Sequence, residues 1–151
     1  ELFLEVPRGL GFDVGRFVRV ELMPEAADYR AFLDDATQRR GWSVAAAVTT
    51  LFLEGTPHDR SVLDPSAPPP PAPPLAEHPL VKHYRLDVER LALTKAHRAV
   101  EDEHRVAAWK VMLEHVPPAD HLEVVAAMEE ALAGWRSYRD GVARAVGLER
   151  A

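Results

Sequence analysis

Three residues that can bind a metal ion recur at helical spacing in the middle of the chain. His97, Glu101 and His104 are four and three positions apart, so a helix places all three on one face, within about 60° of one another. The other residues of this face are apolar: Leu86, Leu93, Val100, Ala108 and Val111. Imidazole and carboxylate groups in an apolar stripe need partners, because burying them unsatisfied costs several kcal/mol. The pattern therefore predicts a metal site, and this donor set suits iron or manganese.

The same three residues also allow an interpretation without metal. Glu101 can pair with Arg90 or Arg105, and the two histidines can be partly exposed or bonded to backbone carbonyls. For one buried histidine that interpretation is the usual one, whereas three metal-binding groups on one apolar face favour an ion. A Glu-x-x-His step is also the helix signature of carboxylate-rich bundles that hold two metal ions.

Glu54 is a second candidate ligand, since it ends a segment that is apolar on nearly every side. A carboxylate at the C-terminus of a helix opposes the helix dipole, which is unfavourable unless a cation or a metal ion lies beside it. The alternative for this residue is a surface glutamate at a frayed helix end.

The elements that must position these residues are helical. Pro24 suits the first position of a helix, and Ser43 is expected to cap the next one. The predicted helices span 25–39, 44–54, 86–116 and, after the turn at Pro117 and Pro118, a last segment that ends near 146. No stretch alternates apolar and polar residues with the period of a strand. The predicted fold class is therefore all-α, a helical bundle with long antiparallel partners.

The last predicted helix carries a heptad-like apolar stripe. Its members are spaced alternately by four and three positions: Val124, Met128, Ala131, Trp135, Tyr138, Val142 and Ala145. Such a stripe packs along neighbouring helices. This stripe and the apolar start at 1–4 need cover, so we expect either N-terminal helices that precede this sequence or a second copy in a homodimer.

The domain organisation is predicted to be simple. We expect one helical domain over 1–151, with a proline-rich loop at 64–79 that contains four consecutive prolines at 68–71. Prolines lack the backbone donors of regular structure, so this loop is expected to be an extended, polyproline-type connection.

Composition and charge exclude several classes of protein. The 151 residues are 47% apolar and 28% charged, which is ordinary for a soluble globular domain. A net charge of −6 argues against a nucleic-acid binder, and the absence of cysteine excludes disulfides, thiolate chemistry and iron–sulfur clusters. No stretch is long and apolar enough for a membrane helix and no secretory signal begins the chain, so we expect no membrane partner and a cytoplasmic location.

Three segments together resemble a known family. AHRAVEDEHRVAAW resembles the His-x3-Asp/Glu-x2-His helix of the haem-oxygenase-like diiron proteins, within the wider superfamily of TenA-type thiaminases and pyrroloquinoline-quinone synthase C. GWSVAAAVTTLFLEG resembles the helix of that family that ends in a metal-ligating glutamate, and ALAGWRSYRDGV resembles its last helix. The resemblance covers most of 42–146 and implies a haem-oxygenase-like fold that lacks its N-terminal helices.

The resemblance also implies a site and an activity. It assigns His97, Glu101 and His104 as iron ligands, with Glu54 as a bridging carboxylate, and two iron ions if the site is complete; manganese is the alternative metal. The family takes its remaining ligands from earlier helices, so we expect this chain to match the C-terminal two thirds of such a protein. The implied activity is a non-haem iron-dependent oxygenase or oxidase that uses dioxygen on a small amine or acid metabolite.

Two other functions are compatible with the same fold. A relative of pyrroloquinoline-quinone synthase C would act without a metal, through histidine and arginine contacts to its substrate. A non-catalytic helical module for binding or dimerisation would keep the fold and lack the chemistry. A thiaminase is excluded, because its cysteine nucleophile is absent.

Overall fold

The computed structural model describes most of the chain. It covers residues 2–18, 20–55, 73–98 and 101–148, with side chains at these positions except 18, 51, 53–55 and 101–106. These residues form helices and no strand, which confirms the predicted all-α class. None of the helices in this described part has the length and apolar character of a membrane span.

The chain divides into two compact units, one made of 1–21 and 65–103 and the other of 22–64 and 104–151. The second unit contains α2 (Pro24–Arg39), α3 (Trp42–Ala46), a π-helix (Ala47–Gly55), most of α6 (Glu101–His115) and α7 (His121–Ala145). Helix α7 packs along α2, α3 and the π-helix. The expectation of one domain over 1–151 stays a prediction.

The predicted boundaries of α2 and α7 are confirmed. Pro24 occupies the first position of α2, where its missing N–H leaves no hydrogen bond unmade. Pro118 begins a 3₁₀ turn, Pro118–Asp120, that leads directly into α7. Prolines therefore set the starts of both long helices.

The prediction that Ser43 caps a helix is wrong. Gly41 holds the cap position with φ 85° and ψ 167°, so α3 begins two residues earlier than expected, at Trp42. Ser43 then lies inside the first turn, where it is 3% exposed, and its hydroxyl donates a 2.7 Å hydrogen bond to Asp120.

The core of the second unit has two clusters. The first consists of Ala36, Val44, Val48, Phe52, Ala127 and Ala131. The second consists of Ala47, Ala108, Met112 and Val116. Helix α3 contributes Val44 to the first cluster and the π-helix contributes to both, whereas Thr49 and Thr50 of the predicted helix 44–54 are exposed.

Helices α2 and α7 approach each other closely at an aromatic cluster. The Tyr29 ring stacks on Tyr138 and Phe32, with centroids 6.4 and 6.2 Å away, and Trp135 completes the cluster at 5.9 Å from Tyr29. Gly134 makes this approach possible, because a Cβ there would lie 2.8 Å from Cδ2 of Tyr29.

The apolar stripe of α7 is confirmed over its first five residues and fails at its end. Residues 124–138 of the stripe are buried or half-buried, whereas Val142 and Ala145 are exposed. The reason is the length of α2. Its first turn already reaches Gly141, whose Cβ would lie 2.8 Å from Cδ of Glu25, so α7 continues past its partner.

The first unit is built from short helices. Its α-helices are α1 (Glu5–Gly9), α4 (Pro79–Tyr84) and α5 (Ala92–Arg98), and its 3₁₀ turns are Leu2–Leu4, Val14–Val18, Leu75–Glu77 and Val88–Leu91. Leu86 and Leu91 are buried in it. Of the predicted loop at 64–79, residues 64–72 lie outside the described residues, and the remainder contains the 3₁₀ turn and the start of α4.

The predicted helix 86–116 starts later than expected. Arg85 has a left-handed backbone with φ 55°, and the extended residue Asp87 caps a 3₁₀ turn by accepting from the backbone N–H of Glu89 at 3.1 Å. Regular α-helix begins only at Ala92, and the segment ends at His115 before the proline pair, as predicted.

Candidate functional site

The four predicted ligands lie on three helical segments. His97 is on α5 with an exposed side chain, Glu101 and His104 are on α6, and Glu54 is on the π-helix. The side chains of the last three lie outside the described residues. Among the side chains that are described, no three histidine, aspartate or glutamate residues lie together as a metal site. The metal site therefore stays a prediction.

The backbone of α6 nevertheless places two predicted ligands on a defined face. Position 104 precedes 108 by four residues and 111 by seven, so these three positions share one face of the helix. Position 101 lies three residues before 104 and seven before 108, and so belongs to the same face.

The π-helix has its own face that includes position 54. Its hydrogen bonds run from residue i to i+5, so a residue is flanked on one face by those four and five positions away. Thr49 and Thr50 are five and four positions before 54. A π-helix is rare, and it occurs frequently at functional sites.

A cavity of about 390 Å³ lies between these two faces. Its walls are formed by Ala46, Thr49, Thr50, Ala107, Ala108, Val111 and Met112. The face of α6 that carries position 104 and the face of the π-helix that carries position 54 therefore border one pocket within the second unit.

The walls of this pocket are mainly apolar. Alanine, valine and methionine side chains form most of the surface, and no charged residue is among the described wall residues. The two threonines supply the hydroxyl groups, and Thr49 donates its proton to the carbonyl oxygen of Ala45 at 2.6 Å. Such a lining suits the apolar part of a small molecule, and Thr50 is a polar wall residue on the face of the π-helix that includes position 54.

Sequence reasoning did not select Thr49, Thr50 or Trp109. The indole Nε1–H of Trp109 is buried, and it has no hydrogen-bond partner within the described part of the chain. A buried indole N–H normally donates to an acceptor, so this arrangement of Trp109, three residues before the buried Met112, is unusual. In the sequence, the signal for this tryptophan is the Ala-Ala-Trp segment that follows the predicted ligands.

The partner of Arg90 bears on the interpretation of Glu101. Arg90 donates to Glu5 at 2.6 Å, and Arg8 donates to the same carboxylate at 2.8 Å. These hydrogen bonds, that from Arg90 first, hold the pKa of Glu5 below its ordinary value. Arg90, which the sequence offered as a partner for Glu101, thus contacts another carboxylate.

Comparison with known proteins identifies no relative. The chain matches no family model, no curated protein and no solved structure. A function for this chain is therefore argued from its own residues.

Proposed function

We propose that this chain is a non-haem iron-dependent oxygenase or oxidase of the haem-oxygenase-like diiron type, acting on a small amine or acid metabolite. One observation carries the proposal. Positions 54 and 104 are fifty residues apart and were selected from the sequence as ligands, and their helix faces border the same cavity. A pocket beside two candidate ligands is the arrangement that an enzyme acting on a bound small molecule needs.

The proposed site uses imidazole and carboxylate donors, which suit iron or manganese. His97, Glu101 and His104 would hold one ion, and Glu54 would bridge to a second ion if the site is complete. Iron bound there would supply the activation of dioxygen.

The chain's own residues would position the substrate. The apolar walls from Ala107, Ala108 and Val111 would exclude water and bind the hydrocarbon part. The polar end of the substrate would then point along the same face of α6 toward position 104, where the proposed ligands begin.

Metal analysis of matched variants tests this proposal. The protein, loaded with ferrous iron and freed of excess, is expected to retain iron, and Glu101→Leu and His104→Ala are expected to lose it. Glu103→Leu is the control, because position 103 lies about 160° around α6 from 101. Circular dichroism should show equal helix content in all four proteins. Retention of iron by both ligand variants, or no iron in the unsubstituted protein, would contradict the proposal.

A second candidate is a helical module without metal, whether a binding module or an enzyme similar to pyrroloquinoline-quinone synthase C. The exposed side chain of His97 favours it, because a ligand inside an apolar stripe was expected to be buried. The same metal analysis separates the two candidates. Absence of iron and manganese under loading conditions, with the fold intact, supports the second one.

A further inference from the structure

Helix α7 carries a second stripe, centred about 110° around the helix from the apolar stripe at 124–145. We define this outer stripe as the residues that follow one another by three or four positions along that side: Leu122, Val125, Glu129, Leu132, Arg136, Arg139, Ala143 and Val146. Over these residues α7 extends for about 36 Å, which is long enough for a two-helix contact.

Four of the five apolar members of the outer stripe are exposed, and Ala143 is half-buried. Leu122 is 86% exposed, Val146 65%, Val125 56% and Leu132 51%. Single exposed leucines are ordinary on a protein surface, but several exposed apolar residues on one side of a helix mark an interaction surface.

The charged members of the outer stripe have no ion-pair partner among the described residues. Glu129, Arg136 and Arg139 form no salt bridge within the described part of the chain, although Arg139 lies 5.8 Å from the centroid of the Trp135 ring. Other charged residues of α7 do form ion pairs within the protomer. Glu130 pairs with Arg40 at 2.5 Å, and Arg144 pairs with a glutamate of α2.

The outer stripe is complementary to a second copy of itself that runs in the opposite direction. With a two-fold axis beside position 134, Glu129 meets Arg139 of a second copy, and Leu132 meets the aliphatic stem of its Arg136. The same register sets Val125 against Ala143 and Leu122 against Val146. Every apolar residue then meets an apolar surface, and each dimer gains two opposite-charge pairs.

We infer that α7 pairs antiparallel with α7 of a second copy of this chain through the outer stripe. The part of the apolar stripe at 124–138 is already covered within the protomer by α2, α3 and the π-helix, so it is not the dimer surface. The occupant is a second copy because both the apolar and the charged residues match their own reversed order.

Charge reversal tests the inferred pairing on the full chain. Light scattering is expected to give twice the 16.8 kDa mass of one chain at micromolar concentration. Either Glu129→Arg or Arg139→Glu alone places two like charges at each of the two contacts between positions 129 and 139 in the dimer. Each substitution is therefore expected to raise the dissociation constant of the dimer at least about tenfold. Glu123→Arg is the control, because position 123 lies about 150° around α7 from the middle of the outer stripe.

Mixing the two weakened variants gives the decisive result. A chain with Glu129→Arg presents arginine at both positions, and a chain with Arg139→Glu presents glutamate at both. The mixture is therefore expected to form a heterodimer, and the doubly substituted chain is expected to recover the homodimer. A mixture that stays monomeric would overturn the inferred register.

Single cysteines test the antiparallel direction, since the chain has no cysteine of its own. In the inferred register the two copies of position 133 lie about 3 Å apart along the helix axis, and the two copies of position 126 about 24 Å apart. A short bismaleimide is thus expected to link Ala133→Cys dimers and not Ala126→Cys dimers. Equal linking of both would indicate a parallel pair, and a monomer at all concentrations would mean that a second copy does not cover the stripe. Either result overturns the inference.

Discussion

The hydroxyl of Ser43 donates a 2.7 Å hydrogen bond to the carboxylate of Asp120, which joins the start of α3 to the start of α7. The two residues are 77 positions apart, and Ser43 is nearly inaccessible to solvent. A charge-assisted bond in such a place is among the stronger hydrogen bonds of a protein. It holds together the two segments that enclose the core of the second unit.

Removing this hydroxyl is expected to destabilise the protein. Ser43→Ala leaves a half-buried carboxylate without its donor, so the free energy of unfolding should fall by about 1–3 kcal/mol. Urea denaturation followed by circular dichroism measures the change. Ser137→Ala, at an exposed position of α7, is the matched control and should change stability by less than about 0.5 kcal/mol. Equal losses for the two variants would show that the bond contributes nothing.

Gly41 is expected to be intolerant of any side chain. Its φ of 85° and ψ of 167° lie in a region that only glycine adopts readily, and a Cβ there would meet nothing within 4 Å. Gly41→Ala should therefore cost about 1–3 kcal/mol through the backbone alone. Gly41→Asn should cost as much, because asparagine tolerates the left-handed helical region and not this one. Thermal unfolding of both variants measures these losses. An asparagine variant as stable as the unsubstituted protein would contradict this expectation.

Two glycines of α7 are expected to respond differently to the same substitution. In Gly134→Ala the new methyl group meets the Tyr29 ring, which is held by its aromatic neighbours, and the loss should be about 1–3 kcal/mol. In Gly141→Ala it meets the end of the Glu25 side chain, which can rotate away, so the loss should be smaller. Chemical denaturation of the two variants measures the difference, and the reverse order would mean that the aromatic cluster is not rigid.

Stability is expected to fall in acid through the pair of Glu25 and Arg144. The backbone N–H of Glu25 and then the Arg144 guanidinium hold the pKa of Glu25 below its ordinary 4.5. A lowered carboxylate pKa gives stability that is fully present above 4.5 and is lost as the pH falls through the folded-state value. Glu25→Gln should therefore unfold with a shallower dependence on pH below 4.5. An unchanged acid profile would assign the acid sensitivity to other carboxylates.

Sequence reasoning predicted the long helices because their boundaries depend on local chemistry. Pro24 and the Pro117–Pro118 pair determine where helices start and stop, whatever packs around them. The start of α3 was missed because it depends on the backbone conformation of Gly41. A serine near a helix start looks like a cap, and only the fold shows that Ser43 has Asp120 as its partner.

The candidate site was also predictable in part, because the face of a helix on which a residue lies depends on local spacing. Spacing alone places 101, 104 and 108 on one face of a helix. The cavity beside that face depends on the packing of Thr49 and Thr50 from another helix, for which the sequence has no local signal. The π-helical turn is likewise a product of packing, because the same residues have ordinary α-helical patterning.

Because of the π-helix, the residues that line the pocket depend on the exact number of residues in this segment. Each π turn holds one residue more than an α turn, so deleting a single residue between 49 and 54 would allow ordinary α-helix to form. Val44 and Val48 would remain in the core, and the residues after the deletion would keep their face of the helix, because the shorter turn takes up the missing residue. Homologues that differ by one residue in this stretch would therefore keep the bundle and present a different residue to the cavity.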